Sequence, residues 1–191
     1  MKKALILNTA IALALAAPLL ASAESRLVIG NGNAAAKLDF RVVVPRVLFL
    51  AVGTGASGFA RNTKVDMLTF NYASAAAAAT LGNKTASTAQ NVSVKVLGNN
   101  GQIEIGAVGS NVEGLVGATT GDTIPWAEII AKSDDATNFD VPAVGGSAKP
   151  TISSGSKVTL HQTTWKYSYA NNTVPASGTY NGTVTYTATM P

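Results

Sequence analysis

Cysteine is absent from the 191-residue sequence, histidine occurs once, and charged residues make up only 13% of it. The first absence removes disulfides, thiolate metal sites and thiol catalysis, so an exported form of the chain must be held by packing and strand pairing alone. The single histidine, His161, rules out a two-histidine metal site and any pairing of imidazole roles, and its place in an alternating run is that of an ordinary strand residue. No G-x-S-x-G, phosphate-binding glycine loop or paired-glutamate signature occurs. No catalytic residue and no cofactor are therefore indicated, and the chain does not read as an enzyme. Aromatic residues amount to 6%, too few for the aromatic girdles of an outer-membrane barrel, whose strands also need about ten alternating residues each.

What is present begins at the front. The sequence opens MKKALILNTAIALALAAPLLASAES, with two lysines, a short apolar run and an Ala21-Ser22-Ala23 site. These are the three parts of a secretory signal peptide, with cleavage expected after Ala23. A membrane anchor would need about 20 apolar residues, and this run is shorter and interrupted by Pro18. No second long apolar run follows, so the mature chain is expected to carry no transmembrane segment. Removing Lys2 and Lys3 leaves twelve basic and ten acidic residues, scattered singly, which gives no reason to expect a nucleic-acid partner.

Along the rest of the chain, Gly, Ala, Ser, Thr, Asn and Val dominate, a composition suited to short strands joined by small-residue turns. Residues 37–44 (KLDFRVVV) alternate, with Leu38, Phe40, Val42 and Val44 on one face, and predict a half-buried strand ended by Pro45. Residues 46–52 (RVLFLAV) predict another. Residues 64–72 (KVDMLTFNY) alternate again, with Asp66, Leu68, Phe70 and Tyr72 as the expected core face. The alanine-rich residues 73–88 predict a loop or one short helix. Two alternating runs around Gly98-Asn99-Asn100-Gly101 predict a hairpin over residues 91–108. Residues 126–130 and 157–169 predict two more strands, the latter alternating Val158 and Leu160 before a shift to Trp165, Tyr167 and Tyr169. Residues 178–191 (GTYNGTVTYTATMP) close the chain with Tyr180, Gly182, Val184, Tyr186 and Ala188 on an apolar parity and threonines opposite. The sum is an all-β protein, an antiparallel sandwich over residues 37–191 preceded by an extension at residues 24–36, with a closed barrel as the alternative.

Two further groups are chemical candidates. Asp134, Asp135, Asn138 and Asp140 place oxygen ligands in one loop, the donor type calcium takes, although the spacing is not that of an EF-hand and the same residues also make turns. Trp126, Trp165, Tyr167 and Tyr169 are candidate stacking contacts for a surface glycan, or, for Trp165 especially, core residues between two sheets.

The signal peptide, the extension, the alternating strands and the closing run with Gly178, Tyr180, Gly182 and Val184 together resemble exported fimbrial subunits of the chaperone–usher kind. The chain departs from many of these in having no cysteine, and its extension alternates poorly after Ile29. The resemblance implies an incomplete immunoglobulin-like sandwich whose C-terminal edge strand (Tyr180, Gly182, Val184, Tyr186) accepts a strand from a periplasmic chaperone and then from the next subunit. It implies residues 25–29 as the donor, with Leu27 and Ile29 as the plug. It further implies assembly at an outer-membrane usher and a periplasmic, cell-surface or fimbrial location in a Gram-negative bacterium. The alternative reading is a secreted, self-complete sandwich that binds a cell-envelope ligand.

Overall fold

The computed structural model describes residues 24–55 and 58–191, and the expected signal peptide at residues 1–23 lies outside the described residues. In chain order the strands are β1 (Leu48–Val52), β2 (Gln90–Gly98), β3 (Ile103–Gly109), β4 (Gly114–Gly117), β5 (Thr123–Pro125), β6 (Ile129–Ser133), β7 (Thr151–Ile152), β8 (Thr159–Tyr169), β9 (Tyr180–Asn181) and β10 (Val184–Thr189). All belong to the unit Pro45–Pro191. The unit before it, described from residue 24, carries neither helix nor strand among its described residues, with a bend at residues 30–32.

Every ladder is antiparallel. The largest sheet has the order β1-β2-β8-β6, the second β10-β3-β7, and a small third one β5-β4-β9. The core lies between the first two. Val92, Val94 and Val96 of β2 and Trp165 and Tyr167 of β8 face Ile103 and Ile105 of β3, Ile152 of β7 and the loop residue Phe139. Phe139 meets Trp165 edge-on at 5.6 Å between ring centroids, and Tyr186 of β10 lies 5.2 Å from the same indole. The all-β sandwich reading holds, and it holds for the expected reason: period-two alternation puts one parity of each long strand against the core.

Four local expectations are corrected. Residues 37–44 form no strand. Their alternating face is exposed, and no ladder partner for them exists among the described residues. Residues 64–72 also lack a ladder, yet Leu68, Phe70 and Tyr72 are half-buried as the pattern predicted, while Asp66 of the same expected face is exposed; side-chain packing and side-chain hydrogen bonds, such as that from Gln90 to the Thr69 carbonyl, hold the segment. The Asn-Gly turn does not close a hairpin, since β2 and β3 enter different sheets. Its polar groups are taken by other segments: Asn99 bonds Pro45 and Val47, Asn100 bonds Pro191, and Gly101 bonds Lys157 and Thr159. With the turn tied outward at three places, the two valine and isoleucine faces meet across the core instead of side by side. Finally, β8 keeps one parity throughout: Thr159, Thr163, Trp165, Tyr167 and Tyr169 face in, while Val158 and Leu160 stay half-exposed.

The remaining expectations are met in outline. Residues 46–52 yield β1; of the strand expected at residues 126–130, only Ile129 and Ile130 are strand, in β6, and Trp126–Glu128 form one turn of 3-10 helix instead. The alanine stretch gives a single helical turn, α1 (Ala75–Ala78), whose N-cap Ser74 accepts from the Ala77 amide. The closing run splits into β9 and β10 around Gly182 and Thr183. At that break Ser110 and Thr183 exchange hydrogen bonds, and a Cβ on Gly182 would meet Leu115 and Trp126 at 2.7 Å.

Candidate functional site

The sandwich is closed at its centre and opens along the flank formed by β1 and β10, while β6 and β7 are the other outermost strands of the two sheets. In its centre, the inward side chains of β2 and β3 are at most 7% exposed. At the open flank stand β1 and β10, the outermost strands of their sheets and neighbours across the sandwich. Their inward residues, Leu50 and Val52 on β1 and Tyr186 and Ala188 on β10, pack against the core but are only partly buried, as is Met190 just beyond β10. Each of the two strands has a ladder on one side only. The free side presents unpaired backbone donors and acceptors, a template for another strand.

β10 is suited to that role by its composition. Val184, Tyr186 and Ala188 point inward and Thr185, Thr187 and Thr189 outward, so a strand added alongside finds apolar sites on one face and hydroxyls on the other. Tyr186 is fixed by a 2.8 Å hydrogen bond between its hydroxyl and that of Tyr167. Burial raises the pKa of both phenols, that of Tyr167 further through the nearby Tyr186, so neither ionises near neutral pH. Past its end, Gln102, Glu104, Thr189, Met190 and Pro191 line a recess of about 160 Å³. On the other lip, a cleft of about 350 Å³ runs beside β1, lined by Leu48 to Val52, by Phe59 to Asn62 and by Lys64. Phe59 stacks edge-on with Phe49 at 5.2 Å and carries the Lys95 ammonium 4.2 Å above its ring.

Of the edge residues expected from sequence, Val184 and Tyr186 are on β10, whereas Tyr180 belongs to β9 and pairs with β4. Gly182 lies at the break between them and leaves room for the Trp126 ring. Leu27 and Ile29 are exposed, in a segment without ladder contacts. The four aromatic candidates do not share a surface. Trp165, Tyr167 and Tyr169 are buried in the core, and the half-buried Trp126 gives its indole N–H to the Asn111 carbonyl at 2.7 Å. In the acidic loop, Asp135 accepts from the Asn138 backbone and side-chain amides, Asp140 accepts from the Val141 amide, and Asp134 pairs with Lys166 at 2.5 Å. These carboxylates build the turn that inserts Phe139 into the core. No group of three or more metal-ligating side chains of the His, Cys, Asp and Glu types occurs among the described residues.

Sequence reasoning missed two features of this flank. Leu50, Val52 and Met190 help form its apolar lining, which only the placement of β1 beside β10 reveals. Asp66 clamps the start of residues 64–72: its carboxylate accepts from the Thr54 amide and, at 2.7 Å, from the Thr54 hydroxyl. Those hydrogen bonds, with help from Lys64, hold its pKa below the usual aspartate range. Among the described residues no helix is long and apolar enough to cross a membrane. In comparison with known proteins, the chain matches no protein-family model and no curated protein.

Proposed function

We propose that this protein is an exported structural subunit of a surface fimbria or adhesive assembly, and that it polymerises by β-strand addition at β10. The observation that carries the reading is the open flank: β10 has a free ladder edge, and its inward side chains sit on the core without being covered by it. Strand addition is the recognition mode that uses such an edge, with backbone hydrogen bonds supplying affinity and alternate side chains supplying specificity. Strand order supports the same reading. An immunoglobulin-type domain places strands A-B-E-D in one sheet and C-F-G in the other. Here β1-β2-β8-β6 follows the first order and β3-β10 corresponds to C-F, with no strand in the place of G among the described residues. A chaperone during export and an usher at the outer membrane are the partners this reading expects. The burial of Trp165, Tyr167 and Tyr169 leaves the alternative, a glycan-stacking module, without its platform.

Light scattering coupled to size-exclusion chromatography of residues 24–191 tests the proposal. A ladder of stable multimers, or a chain soluble only with a strand-donating partner, is the expected result. A sharp, stable monomer would sink it.

A further inference from the structure

Resting on the strand-addition reading, the geometry points to residues 37–44 of a second copy as the donated strand, running antiparallel to β10. In this arrangement Leu38, Phe40, Val42 and Val44 enter the open flank. Residues 37–44 and β10 have complementary deficits. The first is a segment without helix or strand that carries four apolar side chains on one parity, all exposed, and no ladder. The second is a strand with one free edge over a half-covered core. Residues 25–29 offer only Leu27 and Ile29 on one parity and run into the bend at Gly30, whose φ is 103°. Residues 64–72 already seat Leu68 and Phe70 on their own core.

Length and area agree with this pairing. At about 3.3 Å per residue the eight-residue donor spans roughly 26 Å, enough to cover the roughly 20 Å of β10 and reach Met190. Burying its four apolar side chains removes on the order of 400 Å² from water, about half of the 800 Å² per partner typical of a stable interface. The backbone ladder and the covered β10 side chains supply further area. The opposite parity carries Lys37, Asp39, Arg41 and Val43, which would face solvent beside the threonines of β10.

The direction follows from where the chain enters the sandwich. Pro45 and Val47 are both bonded to Asn99, and the Arg46 guanidinium donates to the Met190 carbonyl. Pro45, where the sandwich unit begins, therefore lies at the end where β10 finishes. A copy folding onto its own β10 would have to lie parallel to it, the weaker ladder, and turning back along β1 would break the Asn99 bonds. A second copy has neither constraint. An antiparallel register with Val44 opposite Val184 places Val42 beside Tyr186, Phe40 beside Ala188 and Leu38 beside Met190, large against small at the middle pairs.

Three forms of residues 24–191 test this by light scattering: the unaltered chain, the chain lacking residues 24–36, and the Phe40→Lys/Val42→Lys double variant. Circular dichroism and urea midpoints check that each monomer folds alike. The unaltered and shortened chains are expected to form the same ladder, and the double variant to lose it. Loss of the ladder on shortening, or its survival in the double variant, overturns this donor while strand addition stands. An unaltered chain that is monomeric overturns both. Because the chain has no cysteine, Asp39→Cys with Thr189→Cys should give disulfide-linked multimers and Asp39→Cys with Thr185→Cys should not; the reverse overturns the antiparallel direction.

Discussion

Val92, Val94 and Val96 of β2 and Leu38, Phe40, Val42 and Val44 display the same period-two pattern, yet the valines of β2 are at most 7% exposed and the second set at least 62%. The difference lies in neighbours. β2 has β1 and β8 alongside and the isoleucines of β3 opposite, so its pattern is satisfied on three sides. Residues 37–44 have no ladder neighbour among the described residues. Alternation thus specifies a face to be buried and says nothing about whether the same molecule buries it.

The largest test of the contrast sets one residue from each side against the other. Trp165→Ala removes a fully buried ring packed on Phe139 and Tyr186 and should cost about 3–5 kcal/mol in urea unfolding. Phe40→Ala, measured on dilute monomer, should stay within about 0.5 kcal/mol. A cost above about 2 kcal/mol for Phe40→Ala would mean that residues 37–44 are seated in their own domain. Next in size is Asn171, whose side chain is buried and whose φ is +59°. It accepts from the Gly82 amide at 2.9 Å and donates to the Thr80 carbonyl at 2.8 Å, so it ties the chain around α1 to the end of β8. Asn171→Ala should cost about 2–3 kcal/mol and speed hydrogen exchange around α1 first. Uniform acceleration across the domain would show that this loop is not a separately held element.

The class of the fold was legible because long strands such as β2, β8 and β10 carry their parity openly in Val92-Val94-Val96, Trp165-Tyr167-Tyr169 and Val184-Tyr186-Ala188. Their assignment to sheets was not. Asn99, Asn100 and Gly101 look like a hairpin turn, and only the distant partners Val47, Pro191 and Lys157 make them a corner between sheets. The β10 edge was legible as a strand with one apolar face, but its openness depends on β1 standing beside it, a relation between residues more than 130 positions apart. Burial of Trp165 and Tyr167 was equally a matter of tertiary placement, since a surface platform and a core layer read the same along a strand.

A smaller test probes the open flank itself. Tyr186→Phe leaves the Tyr167 hydroxyl without its partner and should cost about 1–2 kcal/mol in the monomer. Both phenols have pKa values raised by burial, so their contribution is complete below the unfolded tyrosine value and is lost as pH rises past it. The isolated subunit should therefore lose stability above about pH 10. A multimer that covers Tyr186 should withstand a higher pH than the monomer, and identical alkaline transitions for the two would separate this edge from the assembly surface.

Residues 64–72 are the intermediate case, an alternating run with a buried face and no ladder, and the Asp66 clamp is what distinguishes them from residues 37–44. Because the Asp66 pKa is lowered by its hydrogen bonds to Thr54, the clamp is complete above the unfolded aspartate value and is released as pH falls through the lower folded one. Acidification should thus shift the Thr54 amide resonance and accelerate exchange near residue 54 before the sandwich as a whole unfolds. Asp66→Asn should reproduce that local loosening at neutral pH and make it independent of acid. If the Thr54 amide follows global unfolding at every pH instead, packing of Leu68, Phe70 and Tyr72 alone fixes the segment, and a buried face suffices to hold an extended chain that no strand partners.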